Sequence, residues 1–107
     1  MVDRSAENAL RRQTREDRAL VLDMLNSVYP GGLIERDLLD ELLDLPRPIE
    51  GHNARRDFGY LKQLGLIESL REEHAVTRKP IIRWRLTGLG VQFIESGTDW
   101  GKIEAAF

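Results

Sequence analysis

The stretch Gly51–Leu86, GHNARRDFGYLKQLGLIESLREEHAVTRKPIIRWRL, decides how this chain folds and where its function should be sought. Its apolar periodicity changes from helical to alternating, which predicts a helix, a strand, a charged turn and a second strand. The segment carries eight Lys and Arg residues against four acids, a local charge of +4. A basic helix joined to a basic hairpin is typical of a surface that contacts phosphate.

The helix is expected over Gly51–Leu64, because Ala54, Phe58 and Leu61 recur at i, i+4 and i+7 and form a core face. Gly65 follows at the position where helices commonly end in the left-handed conformation. The strands are expected over Leu66–Arg71 and Ile81–Leu86, with the turn His74–Pro80 between them.

Alternate residues of a strand share a face, so the second strand should have an apolar and a basic side. The apolar side takes Ile82, Trp84 and Leu86, and the other side takes Ile81, Arg83 and Arg85. Arg83 and Arg85 either line the hairpin or pair across it with Glu68 or Glu72.

Two helices are expected before this stretch. The first, Asp17–Tyr29, has a core stripe at Val21, Met24, Leu25 and Val28, and Pro30-Gly31-Gly32 ends it. Leu33 and Ile34 allow a short edge strand. The second, Glu35–Leu45, buries a row of leucines (Leu38, Leu42 and Leu45) and ends at Pro46. Its opposite face is acidic through Glu35, Asp37, Asp40, Glu41 and Asp44.

A last helix is expected over Gly88–Ser96, with Thr87 as its N-cap and with Leu89 and Phe93 buried. The resulting organisation is an extension or arm at 1–16, a domain at 17–96 and a tail at 97–107. The tail holds Trp100, Ile103 and Phe107, which should pack either on their own domain or on a partner.

Composition narrows the class of protein. At 107 residues the chain suits one domain, and its lack of cysteine excludes disulfides and thiolate metal sites. We expect no metal, no cofactor and no membrane span, and a cytoplasmic location. No nucleotide-binding loop, nucleophile elbow or metal-ligand spacing is present, so we expect no enzyme.

Charge is distributed unevenly along the chain. The total is −2, but residues 17–50 hold three positive and eight negative side chains, a local charge of −5. The acidic second helix is most simply a solvated face. It could also repel DNA from a wrong orientation or dock a basic partner.

The string Arg56–Ile67 (RDFGYLKQLGLI) resembles the end of a recognition helix entering the wing of a winged helix-turn-helix protein. Arg83–Gly90 (RWRLTGLG) is similar to the join between such a wing and the last helix. The resemblance spans residues 17–96 and is to small bacterial and phage regulators of the MarR, ArsR and PadR kind. From Glu16 onward the chain is also similar to winged-helix proteins of Mu-like prophages. The fold implied is α+β, with three helices, a two-stranded wing and a C-terminal helix.

The resemblance implies a non-catalytic, duplex DNA-binding transcriptional regulator. The residues expected to contact DNA are His52, Asn53, Arg55, Arg56, Tyr60 and Gln63 on the helix and Arg78 and Lys79 at the turn. Gly59, also on the outer face, either is merely tolerated or permits close approach. A homodimer is expected through the N-terminal helix or the C-terminal tail. The alternative is a protein-interaction module, possibly phage-encoded, that does not bind DNA.

Overall fold

The computed structural model describes residues 4–106, which form five helices and one three-stranded antiparallel sheet. The elements are, in chain order, α1 (Arg4–Asn26), β1 (Gly32–Ile34), α2 (Glu35–Leu43), α3 (Gly51–Gln63), β2 (Ile67–Glu73), β3 (Pro80–Leu86), α4 (Gly88–Glu95) and α5 (Trp100–Glu104). The order of helices and strands expected from the sequence is therefore confirmed, with α5 added in the tail.

The first helix differs from its expected bounds at both ends. It begins at Arg4, so residues 4–16, expected as an extension or arm, continue the helix that was expected from Asp17. It ends at Asn26, because residues 27–30 form a hydrogen-bonded turn. Val28, expected in the core stripe, is consequently exposed, and Leu22 is buried in the same helix instead.

The sheet has β3 at its centre, flanked by β1 on one side and β2 on the other. The short strand allowed by Leu33 and Ile34 is present as β1, with Leu33 opposite Trp84. A Cβ atom added to Gly32 would lie 2.2 Å from the carbonyl oxygen of Trp84. Only glycine therefore lets β1 approach β3 at this point.

The core lies between the sheet and the inner sides of α1, α2 and α3. Its fully buried side chains include Leu22, Leu25, Leu38, Leu42, Ala54, Phe58, Leu61, Leu66 and Leu86. The expected core face of the third helix is confirmed. The rings of Phe58 and Trp84 pack with centroids 5.5 Å apart, which joins α3 to the sheet.

Two further residues expected in the core are exposed. Leu89 is 47% exposed because α4 packs through Gly90, where a Cβ atom would lie 2.2 Å from the carbonyl oxygen of Leu66. Ile82 is 41% exposed, since it lies on the part of the hairpin that extends beyond the body. The N-cap at Thr87 is confirmed: its hydroxyl accepts a hydrogen bond from the Gly90 amide at 3.0 Å.

The tail folds back on its own domain. Trp100 is buried, and its ring meets Phe93 edge-on with centroids 4.9 Å apart. Ile103 packs at the edge of the same core. Asp99 caps α5 by accepting from the Lys102 amide at 3.1 Å. Phe107, the third apolar residue expected in the tail, lies outside the described residues.

Candidate nucleic-acid interface

The inner side of α3 is anchored by a charged residue. Asp57 is 2% exposed and accepts a hydrogen bond from Arg18 Nε of α1 at 3.1 Å. Burial raises the pKa of Asp57, and the neighbouring Arg18 guanidinium lowers it by less. This pair fixes α3 against α1, because a buried carboxylate without a partner is strongly unfavourable.

Tyr60 extends the same connection to α5. Its ring lies 3.7 Å below the Arg18 guanidinium carbon, and its hydroxyl donates to Glu104 at 2.7 Å. Arg15 reaches the other oxygen of Glu104 at 3.6 Å. Burial, followed by the hydrogen bond to Glu104, raises the pKa of the Tyr60 phenol. Tyr60, predicted as a DNA contact, thus points to α1 and α5, and we leave it out of the candidate surface.

The outer side of α3 carries the remaining predicted residues. His52, Arg55, Arg56 and Gln63 are all exposed there. Arg55 and Arg56 make no ion pair or side-chain hydrogen bond with another residue of the described range 4–106. His52 Nδ1 lies 3.6 Å from a carboxylate oxygen of Glu50, and both side chains are exposed. Arg55 and Arg56 can therefore bind a ligand without losing a contact that holds the fold together.

Asn53 lies at the flank of this surface. It is half-buried and, with Arg56, lines a groove between α3 and the amino-terminal half of α1. On the α1 side of that groove, Arg47 contacts Gln13 and lies 3.1 Å from Asp17. Asn53 and Arg56 thus form the α3 side of the groove, and the contacts of Arg47 lie on the α1 side.

Gly59 occupies the centre of the outer side. A Cβ atom added there would meet nothing within 4 Å. Packing within the chain therefore does not require glycine, although glycine in a helix interior costs roughly 0.8–1 kcal/mol relative to alanine. Its bare backbone leaves room for close approach by a ligand.

The two arginines of β3 are paired within the hairpin. Arg83 donates to both carboxylate oxygens of Glu72, at 2.8 and 3.3 Å, and to the Gly32 carbonyl at 3.1 Å. This contact lowers the pKa of Glu72 and raises that of Arg83. Arg85 likewise contacts Glu68, its cross-strand neighbour. Of the two alternatives for these arginines, the structure shows pairing.

The hairpin tip is organised by His74. Its Nδ1 accepts from the amides of Val76 and Thr77, both at 3.1 Å, and its carbonyl accepts from the Arg78 amide at 2.9 Å. Arg78 has φ of +59°, a conformation that non-glycine residues seldom adopt. His74 therefore holds the backbone that carries Arg78 and Lys79, both of which are exposed.

Sequence reasoning missed His74, which it treated only as the start of a turn. A polar side chain at that position commonly accepts from amides two or three residues on, so a signal was available. Sequence reasoning also missed Asp57, although a signal was available. Asp57 falls between core positions on the helical wheel, and a buried carboxylate requires a cationic partner.

An open groove of about 470 Å³ separates α3 from the hairpin. It is lined by Lys62, Ser69, Leu70, Arg71, Pro80, Ile82 and Trp84. Lys62 Nζ donates to Ser69 Oγ at 3.1 Å, which joins the last turn of α3 to β2. Basic and apolar surface are thus combined between the two elements.

The acidic side of α2 is solvated. Asp37, Asp40, Glu41 and Asp44 are exposed, while Glu35 accepts from the indole of Trp84 at 3.3 Å. Across residues 4–106 no group of three or more His, Asp or Glu side chains is placed to hold a metal ion. No helix in that range has the length and apolarity to span a membrane.

Two solved structures share this architecture. A PadR family transcriptional regulator from Eggerthella lenta matches 88% of this chain and 83% of its own, with 21% identity and a TM-score of 0.58. A PadR-like transcription factor from Bacteroides fragilis matches 92% of this chain and 94% of its own, with 16% identity and a TM-score of 0.62. The fold is a winged helix-turn-helix.

The expected α+β winged helix is thereby confirmed, with α3 in the place of the recognition helix and the β2–β3 hairpin as the wing. No protein-family model matches the sequence. A search of curated proteins likewise finds no match. At these identities the structural likeness establishes the winged helix and leaves function to be argued from the residues.

Proposed function

We propose that this winged-helix chain binds duplex DNA without catalysing a reaction and regulates transcription. The observation that carries the proposal is the outer side of α3. There Arg55 and Arg56 flank the uncovered backbone of Gly59 and are held by no other described side chain. Cations that the fold does not use, placed on a recognition helix, suit a polyanionic ligand.

In the proposed complex the amino-terminal part of α3 enters the major groove. Arg55 and Arg56 are the main anchors, since arginine can donate two hydrogen bonds to guanine. His52, Asn53 and Gln63 read or position from the same side. Arg78 and Lys79, at the wing tip, contact phosphate independently of sequence. The two similar structures, described as transcriptional regulators, support this assignment by analogy of fold.

We further propose a homodimer that places two copies of α3 on successive major grooves, about 34 Å apart. The exposed amino-terminal half of α1 offers the contact, since Leu10 is 69% exposed there beside Ala6 and Ala9. Trp100 is buried in its own domain, so its part in such a contact would be indirect. Sedimentation velocity of the wild type and of Leu10→Glu tests this: only the wild type should dimerise.

Fluorescence anisotropy with a labelled random duplex tests the proposed function. Non-specific affinity alone should give Kd of roughly 10⁻⁴–10⁻⁶ M at physiological salt, and tighter binding at low salt. Absence of binding at high micromolar protein and low salt would contradict the proposal. We place the activity in the cytoplasm, where the DNA of a bacterial regulator is found.

The second candidate is a protein-interaction module. The observation that favours it is on α2, where Leu43 is 48% exposed on a helix whose solvated side carries Asp40, Glu41 and Asp44. Such a surface suits a partner with a basic, partly apolar helix. Absence of binding in the DNA titration would favour the protein-interaction module, because the acidic surface of α2 would then be the main charged surface without an assigned function.

A further inference from the structure

The groove between α3 and the wing contains two exposed cations, Lys62 and Arg71, that form no ion pair with another described residue. Ser69 and Arg71 are alternate residues of β2 and share the face that meets α3. Ser69 pairs with Trp84, at a position of the sheet that α3 covers. Arg71 pairs with Ile82, at a position of the sheet that α3 does not cover. Lys62 contributes from the last turn of α3 and contacts Ser69.

The charges of this groove differ from those of the opposite face of the hairpin. There Arg83 and Arg85 are neutralised by Glu72 and Glu68. By contrast, Arg71 makes no ion pair or side-chain hydrogen bond with any other residue between 4 and 106. The groove lining includes no acid, and Glu73, the next residue on the same face of β2, lies farther out and is exposed.

The Lys62–Ser69 hydrogen bond orients the hydrogen-bond donors of both side chains in the groove. The ammonium of Lys62 has three N–H groups and uses one on Ser69 Oγ. The Ser69 hydroxyl, as acceptor in that bond, keeps its own hydrogen for another group. Together with the Arg71 guanidinium these donors suit the non-bridging oxygens of a phosphodiester.

We propose that Lys62, Ser69 and Arg71 form a phosphate-binding site that holds the DNA backbone between α3 and the wing. This inference rests on the proposed function and adds contacts to it. It also explains why Ile82 stays exposed in the groove, since its apolar side chain faces the space that the sugar-phosphate chain occupies. The site fixes the register of α3 on the duplex without reading bases.

The test compares two charge-matched double variants, Lys62→Gln/Arg71→Gln and Lys102→Gln/Arg36→Gln. All four side chains are exposed, and the control pair lies on α5 and α2. Anisotropy with a random duplex is measured over a series of salt concentrations. Each phosphate contact adds about 0.9 to the slope of log K against log salt, so the groove variant should lose nearly 2 from that slope. It should also bind roughly tenfold or more weakly near 0.1 M salt.

The control variant should keep the wild-type slope, and both variants should keep the wild-type unfolding midpoint. Ser69→Ala should weaken binding by less than Lys62→Gln and leave the slope unchanged, because it removes orientation and no charge. Equal slopes for the groove variant and the wild type would overturn this site while the proposed function stands. Absence of binding by the wild type would overturn both.

Discussion

Asp57 and Arg56 are adjacent in the sequence, yet α3 puts them to opposite uses. On the inner side, Asp57 is closed off from solvent and paired with Arg18. On the outer side, Arg56 is exposed and its side chain makes no hydrogen bond with another described residue. A one-residue step turns a helix by about 100°, so neighbours can belong to different environments. The inner charges hold α3 in place, and the outer charges are left for a ligand.

The same division runs through the hairpin. Its β3 arginines, Arg83 and Arg85, are paired across the strands, whereas its tip cations, Arg78 and Lys79, are exposed. The count of positive charges in Gly51–Leu86 therefore overstates the surface that is available to DNA. The number of cations without a partner in the fold is the better guide to the candidate interface.

The largest effect is expected from the inner side of α3. Arg18→Met leaves Asp57 buried without its partner and should lower the free energy of unfolding by about 3–5 kcal/mol, measured by urea denaturation. Arg15→Met is the control, because its contact with Glu104 is half-exposed and should contribute about 0–1 kcal/mol. Adding Asp57→Leu to Arg18→Met should recover much of the loss. A small effect of Arg18→Met alone would mean that the pair does not anchor α3.

The same pair gives a pH dependence. Burial raises the pKa of Asp57 above its unfolded value, so its contribution to stability is full below the unfolded pKa and is lost as pH rises through the folded pKa. Asp57→Asn removes this titration. The free energy of unfolding of the wild type relative to Asp57→Asn should therefore increase as pH falls, measured by denaturation at a series of pH values. The opposite slope would show that Arg18 outweighs burial.

Arg55→Ala/Arg56→Ala probes the outer side. Each change should weaken DNA binding by about 1–3 kcal/mol, and together they should alter the free energy of unfolding by about 0.5 kcal/mol or less. Arg36→Ala/Lys102→Ala removes the same charge from two exposed side chains on α2 and α5, and should have the smaller effect on binding. Equal losses in the two variants would remove the distinction between α3 and the rest of the surface.

Gly59→Ala separates stability from binding on the same helix. The added methyl group meets nothing within the chain and should stabilise the fold by roughly 0.8–1 kcal/mol. If the α3 backbone approaches DNA closely, the same change should weaken binding with an unchanged salt slope. A variant that is more stable and binds as the wild type does would place Gly59 outside the interface.

The smallest effect is expected at the wing tip. His74→Ala removes the acceptor for the amides of Val76 and Thr77, which should exchange their hydrogens faster, measured by NMR. Affinity should fall by about 0.5–1 kcal/mol, since water replaces part of the lost hydrogen bonding at an exposed site. His74→Asn should restore most of both values, because its side-chain oxygen can accept from the same amides. Unchanged exchange in His74→Ala would show that the imidazole does not order the tip.

Most of the elements could be predicted from the sequence because their signals are local. Ala54, Phe58 and Leu61 marked the inner side of α3, Gly65 marked its end with φ of +79°, and Thr87 marked the next helix start. The residues whose burial was predicted incorrectly are those whose burial is determined by contacts with distant parts of the chain. Leu89 fits a buried pattern but is displaced outward by the close approach of Gly90 to the carbonyl of Leu66, just before β2.

The candidate interface was less predictable than the fold. Tyr60 has the residue type and the position of a DNA contact, but Glu104, 44 residues later, binds its hydroxyl. Lys62 and Arg71 look marginal in sequence, yet the hairpin brings them to one groove. Whether one of these side chains belongs to the interface depends on which other residues contact it in the folded chain.

The sequence by itself determined the helices, the hairpin and the basic character of Gly51–Leu86, because periodicity, helix punctuation and composition act within a few residues. Tertiary structure alone decided which charged side chains pair within the fold and which remain exposed to a ligand. A charge loses its solvent only when distant elements pack around it, and the cost of that burial selects its partner. That is why Arg18 and Asp57 meet from 39 residues apart, while Arg55 and Arg56, equally charged, stay in solvent.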